Sequence, residues 1–322
     1  MKGKQMEIAV VGAGLMGHAL ALVYALGGHT VRLTDNSAET LARAPGLMAT
    51  ALATLREAGE VDAGWTEQRL DAAVTPCKTL AETVKGADLI VEAIVEQPAA
   101  KRTLYAELAG LMAPDAILAS NTSHLDIFPL VPEALQSRSL IAHWYTPPYI
   151  VDLVDVVGGP RTDPAAVETV RALIAALGKH PVVFGKFVPG YVANRIQAAI
   201  SQEVYRLLDE GLVTPREVDE SVIHGLALRI PILGHLAKAD FTGLPLVQQS
   251  MANRSGEPPP APRDNSAMVD KLLAAGHTGV MSGRGFFDWG GRSPAELFRD
   301  RDRRLIGLKQ ALRKLGGALE GK

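Results

Sequence analysis

Apolar and polar positions alternate in two rhythms along the first half of the chain. Residues 7 to 11 (EIAVV) form a short β-branched run, and residues 15 to 27 (LMGHALALVYALG) repeat apolar residues at helical spacing. The pair then recurs: an extended run at 30 to 34 that ends on Asp35, a long helical stretch at 38 to 58, an extended segment near 73 to 75, a buried strand at 87 to 93, a helix near 98 to 112 and a strand at 116 to 120. Strands alternating with helices of this length predict an α/β fold with a parallel, doubly wound sheet. After residue 137 the rhythm changes. SLIAHW and VDLVDVV are two extended runs separated by Thr146-Pro147-Pro148-Tyr149, which predicts antiparallel neighbours.

A helix near 165 to 177 and a strand at 181 to 184 complete the first domain, and Pro189-Gly190 marks its end. The expected division is 1–187 and 188–322, with everything in the second domain reading as helix. That domain opens with a helix from about Tyr191 to Glu210, ended by Gly211. Thr214-Pro215-Arg216-Glu217 and Ser293-Pro294-Ala295-Glu296 each read as a capping box with proline at the first helical position. The proline-rich stretch 256 to 262 predicts a loop, and no internal repeat is visible.

Composition narrows the classes. The chain has 322 residues, 33 Lys and Arg against 35 Asp and Glu, and a formal charge of −2, so there is no net basic field to hold a nucleic acid. A balance of 47% hydrophobic and 21% charged residues excludes collagen-like and disordered chains. One cysteine, Cys77, allows no intrachain disulfide and no cysteine metal cluster, and no metal is expected. No apolar run is long enough to span a membrane. The start, Met1-Lys2-Gly3-Lys4 followed by apolar residues, imitates a signal peptide, but glycines and His18 interrupt it. The expectation is a cytoplasmic, untargeted protein.

Gly12-Ala13-Gly14-Leu15-Met16-Gly17 matches G-x-G-x-x-G, a weak signal alone, but here it follows a predicted strand and opens a predicted helix. In that setting Gly12 makes the tight turn, Gly14 lets the backbone approach a pyrophosphate and Gly17 packs helix on strand. Leu15 and Met16 belong to the same candidate cofactor loop. Asp35 stands where an acid accepts the adenine ribose hydroxyls and repels a 2′-phosphate, which favours NAD over NADP. The first domain is thus predicted to be Rossmann-type. The alternative is a glycine turn of some other α/β protein, with Asp35 an ordinary helix cap.

Oxidising an alcohol with NAD needs a group that takes the hydroxyl proton, and histidine suits that task near neutral pH. His143 is singled out among eight histidines because a hairpin folded about Tyr149 sets it opposite Asp155, and a carboxylate beside an imidazole fixes its tautomer.

These segments, together with ADLIVEAIVE (87–96), SNTS (120–123), ALGKHPV (176–182), VPGYVANR (188–195) and GRGFF (283–287), resemble the NAD-dependent L-3-hydroxyacyl-CoA dehydrogenase family, in the same order over nearly the whole chain. The resemblance implies His143 as general base, Asp155 as its partner, Ser123 as a hydroxyl near the substrate oxygen and Asn194 as an amide orienting the substrate. It also implies Glu96 and Lys101 beside the cofactor, Asn121 near the nicotinamide, and a homodimer formed by the helical domain. By residue type alone, Ser123 also reads as a turn residue, Asn194 as a helix-interior amide, and Glu96 with Lys101 as a solvated pair.

The chain departs from the family pattern in two places. The family's glutamate is here Asp155, about 1.3 Å shorter in reach, and its HFFNP is His143-Trp144-Tyr145-Thr146-Pro147. Residues 45 to 67, where acyl-CoA enzymes of this kind carry basic residues for the nucleotide's phosphates, contain only Arg56. Pro147-Pro148-Tyr149-Ile150 with Leu153-Val154 resembles the branch that oxidises free hydroxy acids, such as L-gulonate 3-dehydrogenase (lambda-crystallin) and carnitine 3-dehydrogenase. The expectation is oxidation of the 3-hydroxyl of a small non-CoA acid. The alternatives are a true L-3-hydroxyacyl-CoA dehydrogenase and a non-catalytic NAD-binding protein.

Overall fold

The computed structural model describes residues 5–253 and 266–315. Eight strands, β1 (Glu7–Val11), β2 (Thr30–Thr34), β3 (Val74–Pro76), β4 (Leu89–Glu92), β5 (Ile117–Ser120), β6 (Ser139–Trp144), β7 (Leu153–Gly158) and β8 (His180–Phe184), make one sheet in the order β3-β2-β1-β4-β5-β6-β7-β8. Every neighbouring pair is parallel except β6 with β7. The central strands are apolar up to their last residues because helices cover both faces: all four residues of β4 and of β5 are buried, Glu92 and Ser120 at their ends included. Strand order reverses between β1 and β4, so the crevice beyond their C-terminal ends is the place where a doubly wound sheet binds its ligand.

The helices of this unit are α1 (Gly17–Leu26), α2 (Ala38–Glu57), α3 (Glu67–Ala73), α4 (Leu80–Val84), α5 (Pro98–Leu111), α6 (Glu133–Gln136) and α7 (Pro164–Ala176). Helix α1 is apolar nearly all round and is buried accordingly. Local chemistry sets the starts of others. Ser37 caps α2 by accepting the Thr40 N–H, and Asp163 caps α7 with Pro164 in the first turn. The sheet and α5 enclose a core of Ile90, Leu118, Ile141, Tyr105, Leu108 and Ile127.

The chain divides into two compact units, Met1–Tyr191 and Val192–Lys322. The second contains α8 (Ala193–Asp209), α9 (Pro215–Ser221), α10 (Ile230–Thr242), α11 (Leu244–Asn253), α12 (Ala267–Ala274) and α13 (Pro294–Leu315). Both anticipated capping boxes are present, Thr214 with Glu217 and Ser293 with Glu296. The second unit is helical, with one exception to the sequence reading. Between α12 and α13 the chain makes a short 3-10 turn and two isolated bridges, because glycines 276, 279, 283, 290 and 291 all take positive φ and cannot continue a helix. The proline-rich loop at 256–262 lies outside the described residues.

Candidate active site

The glycine loop joins β1 to α1, and its three glycines answer different demands. Gly12 has φ 99°, and a Cβ there would stand 2.5 Å from the Ala93 carbonyl oxygen on the neighbouring strand end. A Cβ on Gly17 would lie 1.6 Å from the Gly12 oxygen. Gly14 has nothing within 4 Å of its Cβ position. The fold therefore forbids side chains at Gly12 and Gly17, whereas at Gly14 it leaves an open space of the kind a pyrophosphate needs. No side chain caps α1 and no acid occupies its first turn, so its first N–H groups and partial positive charge are available to an anion. Asp35 follows β2 and accepts the Ala13 N–H at 2.7 Å and the Ser37 N–H at 2.8 Å, so it belongs to the loop as well as to the start of α2. These residues fit NAD.

Leu15 is 73% exposed at the mouth of the loop. Met16 Sδ accepts the Thr146 hydroxyl at 3.1 Å, which ties the loop to the β6–β7 turn. His18 lies 2.6 Å by Nδ1 from the Gly14 oxygen, and burial lowers its pKa against the opposing pull of the Gly14 and Ala13 carbonyls.

His143 and Asp155 are register partners in the antiparallel pair β6–β7, both buried, at 3% and 1% exposure. Nδ1 of His143 stands 3.2 Å from Asp155 Oδ2, and its Nε2 stands 3.1 Å from Ser123 Oγ. Since a carboxylate only accepts, Nδ1 carries the proton and Nε2 presents its lone pair to the serine hydroxyl. Tyr145 approaches the imidazole edge-on at 4.5 Å, and Tyr191 stacks on it at 4.8 Å. Tyr191, at φ 49°, donates its hydroxyl to the Thr122 carbonyl at 2.9 Å, and the Gly190 N–H reaches the Ser123 carbonyl at 3.1 Å. The same short segment thus holds both the imidazole and the serine loop.

Glu96 anchors that loop from the other direction. Its Oε1 accepts the Thr122 hydroxyl at 2.5 Å and the N–H groups of Ser123 and His124 at 2.9 and 3.0 Å. Burial pushes its pKa up, but the His124 N–H, the Thr122 hydroxyl, Lys101 and the Ser123 N–H outweigh it and hold the carboxyl below the usual range. Lys101 is 1% exposed and so is no solvated partner: its Nζ binds both oxygens of Glu92, at 2.7 and 2.8 Å, and lies 3.5 Å from Glu96. Glu92, fully buried at the end of β4, also accepts from Tyr105 and Ser120. Asn121 accepts the Trp144 N–H through Oδ1 at 2.8 Å, which leaves its amide nitrogen as the donor. Asn194 stands on the first turn of α8, in the second unit.

Tyr145, Tyr191 and Glu92 also belong to this arrangement, although no motif marks them. A signal for Tyr145 existed, since residues two apart on a strand share a face. One for Glu92 existed too, as a lone acid in an apolar run. Tyr191 had none, because its hydroxyl meets a carbonyl 69 positions away.

Residues 7–187 match the family described as 3-hydroxyacyl-CoA dehydrogenase, NAD binding domain, and residues 190–289 match its C-terminal domain. A 5-formyl-3-hydroxy-2-methylpyridine 4-carboxylate 5-dehydrogenase of Mesorhizobium japonicum is 30% identical over 316 residues, 95% of this chain and 98% of the relative. An L-carnitine dehydrogenase of Streptomyces griseus is 31% identical over 318 residues, 98% and 92% of the two chains. A solved structure of a 5-dehydrogenase acting on the same pyridine carboxylate, described as an NAD+-dependent dismutase, superposes with a TM-score of 0.85 at 29% identity, over 96% of this chain and 99% of that one. The chain belongs to the 3-hydroxyacyl-CoA dehydrogenase family and is an NAD-dependent oxidoreductase acting on a CH–OH group.

Proposed function

We propose that the protein oxidises the 3-hydroxyl of a small free hydroxy acid to a ketone, with His143 as general base. The observation that carries this reading is the hydrogen-bonded series Ser123, His143, Asp155, set on strand ends beside the glycine loop. With Nδ1–H donated to Asp155, Nε2 has the lone pair that takes the substrate hydroxyl proton. The buried Asp155 carboxylate then supports the imidazolium that forms. When substrate binds, the Ser123 hydroxyl turns from Nε2 to the substrate oxygen and donates to it as it becomes a carbonyl, and Asn194 is the second donor in this scheme. NAD, when bound, supplies the acceptor for the hydride leaving the carbinol carbon.

Gly12, Gly14, Leu15, Met16, Gly17 and Asp35 are assigned to the dinucleotide, and the Asn121 amide to the nicotinamide end. Glu96 and Lys101 complete the cofactor side by fixing the loop that carries Ser123. On this reading the chain divides in function at 187/188, the first part for NAD and the hairpin, the second for substrate and dimerisation.

Charge supports the free acid over the thioester. Between 45 and 67, Arg56 stands alone against Glu57, Glu60, Asp62 and Glu67, so a nucleotide carrying three to four phosphate charges would meet a net acidic segment. The two relatives above are named for small carboxylic acids, with no coenzyme A in either name. Side-by-side assays of NADH formation with free 3-hydroxy acids, L-carnitine among them, and with 3-hydroxybutyryl-CoA test the choice. Turnover of the thioester alone overturns it. His143→Ala is expected to cost about 10²- to 10⁴-fold in kcat, and full retained turnover would remove the mechanism.

A homodimer formed through the second unit and a cytoplasmic location complete the proposal. Among the described residues of that unit only Leu208, Ser266, Asp302 and Ile306 are buried, while Leu228, Leu236 and Phe241 are more than 70% exposed. The single thiol suits a reducing compartment. Among the described residues no helix is long and apolar enough to cross a membrane.

A further inference from the structure

The β6–β7 pair carries a third group that the scheme above does not use. Tyr145 directly follows β6, and its phenol O–H donates to Asp155 Oδ2 at 2.7 Å. That is the oxygen which also accepts His143 Nδ1, at 3.2 Å. The Tyr145 ring stands edge-on to the imidazole at 4.5 Å, so one aromatic side chain touches both members of the pair. Asp155 itself is 1% exposed, and a carboxylate so far from water needs more than one donor to be held in a single orientation. Its side chain is also short, with one torsion fewer than glutamate and no slack to seek its partner. The neighbouring residues leave few other donors for Oδ2: Ser123 is engaged with Nε2, and the Tyr191 hydroxyl is spent on the Thr122 carbonyl.

We infer that Tyr145 is a positioning residue for the His143–Asp155 pair: its hydroxyl pins Asp155 Oδ2 against Nδ1 and so keeps Nε2 free to accept. The inference rests on the reading of His143 as the base. Tyr145 acts on the Nδ1 side of the ring, through Asp155, and not on the reacting oxygen. Burial, the hydrogen bond to Asp155 and its charge all push the phenol well above its ordinary range, so the group remains a donor throughout neutral and mildly alkaline conditions.

The test compares Tyr145→Phe, Asp155→Ala, the double variant and His143→Ala by steady-state kinetics, and follows the Nδ1–H proton of His143 by NMR in the protein without NAD. Tyr145→Phe keeps the ring and the packing. It is expected to lower kcat about three- to tenfold, the rate equivalent of one hydrogen bond, with KM for NAD and substrate unchanged. In the Asp155→Ala background the same change is expected to cost nothing further, because its acceptor is gone. The Nδ1–H resonance is expected to move upfield and exchange faster with water in Tyr145→Phe. An unchanged kcat beside an inactive His143→Ala overturns the inference. So does an equal loss in both backgrounds, or a loss expressed in KM. Retained turnover in His143→Ala sinks the underlying reading of the base instead, and the NMR signal then decides separately whether Tyr145 pins the pair.

Discussion

At the glycine loop, three residues of one type separate into two kinds of constraint. Adding a side chain at Gly17 collides with the Gly12 carbonyl, so Gly17→Ala is expected to unfold the loop and lower the thermal midpoint. A Cβ at Gly14 has no atom of the chain within 4 Å, so Gly14→Val is expected to leave that midpoint within about 2 °C. The same valine fills the space assigned to the pyrophosphate, so NAD affinity should fall by about tenfold or more, read by calorimetric titration. Equal loss of stability in both variants would contradict the division. The motif located this loop from sequence, since glycine spacing is local information. The Tyr191 hydroxyl was not legible in that way: its partner is brought near by the chain's return, at a separation of 69 residues.

Individual elements show the same split between local and distant causes. The register that sets His143 opposite Asp155 follows from two strands folding about one turn, and counting residues suffices to derive it. Helices α3 and α4, of 7 and 5 residues, escaped the sequence reading because a helix so short shows barely one period of apolar spacing. Lys101 was ambiguous in sequence for another reason, since burial belongs to the packed α5 and not to the residue. Its replacement by methionine leaves Glu92 as an unpaired buried charge, and a loss of about 3–5 kcal/mol in urea unfolding is expected. A loss below about 1 kcal/mol would mean that Tyr105 and Ser120 compensate the carboxylate alone. Glu96 gives a pH signature for the loop between β5 and α6. Its folded pKa lies below the unfolded value of about 4.3, so its contribution is full above that value and disappears as pH falls through the lower folded one. Thermal midpoints of wild type and Glu96→Gln should therefore differ at pH 7 and converge in acid below the ordinary glutamate range. A gap that is constant with pH would remove the electrostatic account.

For the whole molecule, the two units are built differently. The sheet unit buries its central strands β4 and β5 completely, whereas the helical unit leaves long apolar side chains on α10 and α11 uncovered, Leu236 at 79% and Leu246 at 53% exposure among them. A dimer of roughly standard interface size would cover such a face. Sedimentation at micromolar concentration is expected to show the dimer, and Leu236→Glu to shift it toward monomer; a monomeric wild type would end the proposal. Net charge carried little information for the chain as a whole, but its local distribution between 45 and 67 bears on which substrate fits.

Tyr191 closes the sheet unit, and its placement bears on where this sequence is free to change. A junction between domains is ordinarily the segment most tolerant of insertion, deletion or grafting. Here the residues just before the junction are occupied, Gly190 with the Ser123 carbonyl and Tyr191 with both Thr122 and the His143 ring. Lengthening the chain at 188–190 would pull on the imidazole as surely as a change within the hairpin. A fragment that stops at 187 would lose the ring stacked on His143 and both hydrogen bonds that hold the Thr122 and Ser123 carbonyls.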